Sequence, residues 1–140
     1  IFLSERILGP LNLVWAFTDY PDEGNLCETQ VAARLVNEVG LPVTIMGSVG
    51  GAQPERQEVT IKGSKISRRI SEFAIDTVSS GEPFAPTDSI PDDTRATSLK
   101  AQLDDLTLLM AGKPNRLATI DEALRVQILI EEILASPRSN

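Results

Sequence analysis

Leu11, Leu13, Trp15 and Phe17 alternate with Asn12, Val14, Ala16 and Thr18, a period of two that predicts a strand with Trp15 buried in its sheet. Tyr20 to Asn25 follow as a turn, rich in Pro, Asp, Gly and Asn. From Leu26 to Val39 the alternation resumes, with Cys27, Thr29, Val31, Ala33, Leu35 and Asn37 set against Glu28, Gln30, Ala32, Arg34, Val36 and Glu38. The frequency of β-branched residues there favours a strand over a helix. Val43, Ile45 and Val49 predict another strand, with Pro42 at its start or on an edge and Gly47 as a bulge, before a turn at Gly50 and Gly51. Arg56 to Lys62 and Ile66 to Glu72 flank the turn Gly63-Ser64-Lys65 as a hairpin, and Phe73 to Val78 extends it with one more strand. Ahead of all these, Phe2 to Leu8 has the character of a helix end stopped by Gly9 and Pro10.

The pattern changes in the second half. Ser79 to Thr97 contains Pro83, Pro86 and Pro91 together with Asp92 and Asp93, which predicts a long connection of the kind found in exchanged arms and site lids. Leu99, Leu103, Leu106 and Met110 follow one helical face within Ala96 to Ala111, ended by Gly112 and Pro114. Thr119 and Glu122 then have the spacing of a capping box, so a last helix starts near Ile120. Its apolar residues, Ile120, Ala123, Leu124, Ile128, Ile130, Ile133 and Leu134, spread wider than a narrow stripe and need a sheet to cover them. The expected fold is therefore α+β: an open, mostly antiparallel β-sheet built from Leu11 to about Val78, with the C-terminal helices packed on one face. Leu103, Leu106, Leu124 and Ile128 are expected in the core. The strands carry apolar residues at both alternating positions, with Val14 and Ala16 opposing Leu13 and Trp15, and Ala32 and Val36 opposing Val31 and Leu35. A sheet wet on one side alternates more cleanly, so its open face should be covered by a second copy of the chain.

Composition narrows the chemistry. With 140 residues the chain fits one domain with a core of its own. It has no His, which excludes imidazole acid–base work, His-based triads and His zinc sites. The net charge of -7 argues against nucleic acid as a partner. No apolar run reaches the roughly 20 residues of a membrane helix. Cys27 is alone, so no disulfide framework or thiolate cluster is expected, as suits a cytoplasmic protein. Lys62, Lys65, Arg68 and Arg69 form a basic cluster on the hairpin, either a solvated strand face or a meeting point for an anionic substrate or cofactor phosphate. Asp104 and Asp105 are adjacent on a helix, hence about 100° apart, and are expected on a solvated face. Gly50 and Gly51 lack the following helix and the Lys-Ser/Thr pair of a phosphate loop. No catalytic, cofactor-binding or metal residue is assigned.

The run ATIDEALRVQILIEEILAS resembles the C-terminal helix of the glucose-fructose oxidoreductase and inositol dehydrogenase (Gfo/Idh/MocA) family, in which an Ala-Leu-x-Val-Gln run is habitual. IFLSERILGP resembles the helix end that closes with Leu-Leu-Gly, ETQVAARL the strand after it, and VTIKGSKISRRIS a strand, turn and strand. The resemblance implies the C-terminal, substrate-side and oligomerisation domain of a two-domain enzyme that oxidises a sugar, polyol or related hydroxy compound. NAD or NADP would be held by an N-terminal Rossmann domain. The G-x-G-x-x-G fingerprint and the family's Glu-Lys-Pro motif are absent here, and Phe2 stands where many members carry a catalytic Asp. The chain is therefore expected to be a C-terminal fragment, inactive alone, whose partners are the Rossmann domain, a small-molecule substrate and a second copy. The alternative is a non-catalytic, sheet-based binding or dimerisation domain.

Overall fold

A computed structural model describes residues 1–22, 26–72, 75–87 and 93–136. The chain runs α1 (Phe2–Leu8), β1 (Leu11–Asp19), β2 (Gln30–Asn37), β3 (Pro42–Ser48), β4 (Glu58–Lys62), β5 (Ser67–Ser71), β6 (Ile75–Ser79), β7 (Ala85–Pro86), α2 (Thr94–Met110) and α3 (Ile120–Leu134). The fold is α+β with antiparallel sheets, as the periodicities predict. The strands form two open sheets, ordered β1-β2-β3 and β4-β5-β6-β7, where one had been expected. The break falls between Ser48 and Glu58, where Gly50 and Gly51 take φ of 89° and 90° and Pro54 has no amide N–H to give a ladder. The chain divides accordingly into one compact unit of residues 1–52 and 118–140 and a second of residues 53–117.

In the first unit the apolar core is Leu11, Ala33, Leu35, Leu129 and Ile133, with Ile1, Leu8, Leu13, Ala16, Val31, Val43 and Ile45 packed around it. α3 therefore lies on one face of β1–β3. Its N-terminus is fixed by the capping box: Thr119 Oγ1 accepts from the Glu122 N–H at 3.2 Å, and Glu122 Oε2 accepts from the Thr119 N–H at 2.8 Å. At the other end the Thr18 hydroxyl, itself buried, donates to the Ile133 carbonyl at 3.0 Å. Asn37 closes the β2–β3 turn by accepting from Leu41 N at 2.8 Å while its amide donates to the Leu8 carbonyl at 2.8 Å.

Three expectations about side chains are corrected here. Leu124 is 56% exposed and Ile128 51% exposed, because the face of α3 turned to the sheet is Val126, Leu129, Ile130 and Ile133. Apolar residues surround so much of this helix that the period alone does not select the buried side. Trp15 is 50% exposed instead of buried. The β1–β2 register shifts between Leu13 and Trp15, making Val14 a bulge, and one extra residue exchanges the faces of everything beyond it. Gly47, expected as a bulge, pairs with Val31 in continuous register, and a Cβ there would lie 3.1 Å from Val31 Cγ1.

In the second unit the hairpin forms where the sequence places it, with Gly63 N donating to the Ile66 carbonyl at 3.0 Å across the turn. Phe73 and Ala74, at the start of the next expected strand, lie outside the described residues, as do 88–92 of the expected long connection. α2 is capped by Asp93, whose Oδ1 accepts from Ala96 N at 2.8 Å, and ends before Gly112 at φ 65°. Leu103 and Leu106 were expected in the core but are exposed, as are Leu99, Leu109 and Met110. Periodicity identifies an amphipathic face; it does not supply the surface that covers it.

Candidate functional site

Apolar side chains also lie on the face of β1–β3 opposite α3, where Trp15 and Met46 are exposed. Leu11, Leu13, Ala16 and Thr18 of β1 and Val31, Ala33, Leu35 and Asn37 of β2 are on the helix side, as their burial and contacts show. By the pleat, the open face presents Asn12, Trp15, Phe17 and Asp19 from β1, Gln30, Ala32, Arg34 and Val36 from β2, and Pro42, Thr44, Met46 and Ser48 from β3. Phe17, Ala32 and Met46 stand in one cross-strand row, next to the row of Trp15, Arg34 and Thr44. Met46 is 82% exposed. Apolar residues do stand on both faces of these strands, although the bulge changes their membership: Trp15 and Phe17 join Ala32 and Val36, while Ala16 turns inward. Sequence periodicity put Trp15 and Phe17 on the wrong face because it runs β1 without a bulge. The one signal was Val14, an apolar β-branched residue at a position the alternation assigns to the polar side.

Arg68 and Arg69 of the basic cluster do not converge. Arg68 and Arg69 are neighbours on a strand and point to opposite faces. Arg68 pairs with Asp76 through both guanidinium and carboxylate, and the same Asp76 accepts from the Thr87 hydroxyl at 3.2 Å. Arg69 Nε lies 3.3 Å from Glu58 Oε1, with its guanidinium 4.1 Å above the Phe84 ring centroid. The arginine beside each acid holds the carboxyls of Asp76 and Glu58 below the ordinary range, Arg56 being the main cause for Glu58. Both arginines are therefore bound to carboxylates of their own sheet, which favours a structural use over an anion site.

Asp104 and Asp105 also part company. Asp104 is exposed and bonded to Lys100 at 2.6 Å, one helical turn away. Asp105, expected on a solvated face, is buried: it receives Arg116 Nε at 3.0 Å, Arg116 Nη2 at 3.0 Å and the Arg116 N–H at 3.2 Å, and that arginine holds its carboxyl low. A pair formed with a loop residue beyond the helix leaves no periodic trace in the sequence.

A last set of charges joins α1 to α3. Glu5 is buried, with Oε1 accepting from Leu11 N at 3.1 Å and Oε2 facing Arg125 Nε at 3.8 Å. Arg6 bonds Glu122 at 2.9 Å, and the Thr119 N–H together with Arg6 pulls the Glu122 carboxyl down to about 2. Each acid in this clasp has a basic neighbour and a backbone N–H, an arrangement that fixes helix ends.

Gly50 and Gly51 lead into an extended segment and β4, where a pyrophosphate cradle requires a helix N-terminus. These residues do not fit a dinucleotide. Among the described residues no group of three His, Cys, Asp or Glu is placed to hold a metal ion, Cys27 is an exposed free thiol, and no helix is long and apolar enough to cross a membrane. No protein-family model matches the chain, and no curated protein sequence matches it.

Proposed function

We propose that this chain is the substrate-side and oligomerisation domain of an NAD(P)-dependent oxidoreductase of the sugar and polyol type, and that it self-associates through the open face of β1–β3. The observation that carries the self-association is the exposed Trp15 and Met46, with half-buried Phe17, Ala32 and Val36 beside them, on a face that α3 leaves uncovered. The enzyme part rests on the resemblance of the four quoted segments and on the order of elements, a helix end, antiparallel strands, then a capped C-terminal helix. In this scheme, as the resemblance implies, the dinucleotide belongs to a Rossmann domain, and the hydride chemistry is the cofactor's.

Two experiments separate the parts of this proposal. The coding sequence upstream of Ile1 should contain a G-x-G-x-x-G fingerprint and a Glu-Lys-Pro motif, and micromolar binding of NAD(H) or NADP(H) to this chain alone in a calorimetric titration would contradict a separate cofactor domain. Sedimentation equilibrium tests the surface: wild type should be oligomeric, and Val36→Lys should weaken the association without loss of fold. A wild type that stays monomeric at all concentrations removes the surface from the account. The alternative, a binding or dimerisation domain with no dehydrogenase parent, is favoured by one finding, that the exposed patch needs no catalytic partner to explain it. A start codon immediately upstream would select it.

A further inference from the structure

We infer that the open faces of two copies stack about a two-fold axis that crosses the strands over the Phe17–Ala32–Met46 row, so that Arg34 of each copy meets the partner's Asp19. This rests on the self-association proposed above and adds its register. Across β1, β2 and β3 the open face reads, row by row, Asn12–Val36–Pro42, Trp15–Arg34–Thr44, Phe17–Ala32–Met46 and Asp19–Gln30–Ser48. Arg34 and Asp19 are its charged residues, one cation and one anion, in the two rows that flank the apolar Phe17 row. Neither side chain has an ion-pair or hydrogen-bond partner among the described residues.

An axis lying between two stacked sheets, over the Phe17 row and perpendicular to the strands, carries the Asp19 row of one copy onto the Arg34 row of the other, and the reverse. A two-fold interface makes every such contact twice, so a single face holding both members of a complementary pair is self-complementary. Arg34 and Asp19 are on adjacent strands, a lateral offset of about 4.8 Å. The crossing angle of roughly 30° between aligned stacked sheets moves strand ends sideways in the same plane and absorbs an offset of that size. Phe17, Ala32 and Met46 then form the dry centre, with Trp15 beside it and the charges at the margin, where reversing a sign strongly penalises the wrong register. An unrelated partner would have to bring both an acid for Arg34 and a base for Asp19; a second copy brings both already. Three strands make a small face, so the dimer should be weak and concentration-dependent.

The test is sedimentation equilibrium at low salt over a concentration series, for wild type, Arg34→Asp, Asp19→Arg and the double reversal, with circular dichroism confirming the fold of each. Each single reversal should weaken dimerisation about ten-fold or more, and the double reversal should return it to within about three-fold of wild type. Should a reversal misfold, the milder Arg34→Gln serves: it should weaken the dimer and remove most of its salt dependence. A wild-type dimer indifferent to these changes, or a double reversal as weak as the singles, overturns the register and leaves self-association standing. A wild type monomeric throughout overturns both.

Discussion

In the unit of residues 1–52 and 118–140, the side chains of Leu11, Ala33, Leu35, Leu129 and Ile133 are buried between a sheet and a helix, whereas in residues 53–117 the one buried side chain among the described residues is Asp105. The first unit excludes water from apolar surface and adds a few buried polar ties, such as Thr18 to the Ile133 carbonyl. The second relies on strand ladders and on ion pairs near the surface: Arg68 with Asp76, Arg69 with Glu58, Lys100 with Asp104. Apolar burial contributes roughly 1.5 to 3 kcal/mol per large side chain, while exposed ion pairs contribute about 0 to 1. Two units of similar secondary structure should therefore differ widely in resistance to unfolding.

The largest expected effect sharpens that contrast. Leu35, 0% exposed, sits at the centre of the first core, and Leu35→Ala should cost about 2 to 5 kcal/mol in denaturant unfolding. Leu103→Ala on α2, at a position 53% exposed, should change stability by less than about 1 kcal/mol. Equal losses at the two positions would mean that α2 is packed as tightly as α3, and the contrast would fail.

How far these properties were legible in the sequence depends on what each signal encodes. The α3 start was readable because Thr119 and Glu122 make a local, reciprocal bond at fixed spacing. The hairpin around Gly63 was readable for the same reason. The phase of α3 was not, since Leu129 and Ile133 are buried while Ile120, Leu124 and Ile128 are equally apolar and exposed. Nor was the exposure of Trp15, which depends on one bulged residue, Val14, inserted in a ladder with a partner strand distant in sequence. The Asp105–Arg116 pair and the division into two sheets are likewise set by tertiary pairing, which a period of two or of 3.6 does not record.

Intermediate effects test the polar ties of the first unit. Thr119→Ala should cost about 1 kcal/mol by removing the cap of α3. Glu122 has its folded-state carboxyl at about 2, against an ordinary 4.5. A depressed carboxylate contributes stability that is complete above about 4.5 and is lost as pH falls through about 2, where the folded form also takes up the proton. The stability difference between wild type and Glu122→Gln, followed by thermal unfolding, should be flat above pH 5 and shrink across that window; a difference that grows on acidification would contradict the capping-box assignment.

The smallest effect belongs to the second unit. Arg68→Ala should cost no more than about 1 kcal/mol, and the cost should fall further in high salt, because the guanidinium and the Asp76 carboxylate are both partly in water. A salt-insensitive loss of several kcal/mol would show a buried pair and a tighter second unit than the exposures indicate.

The central claim, that a cooperative apolar core belongs to β1–β3 and α3 while residues 53–117 open more readily, is tested most directly by native-state hydrogen exchange of the intact chain. The amides of Val31 to Asn37 in β2 and Leu129 to Leu134 in α3 should exchange slowest, through global unfolding, and those of Glu58 to Lys62 and of Leu99 to Met110 should exchange through local opening at markedly lower free energy. Exchange at one common free energy across both sets would contradict the division.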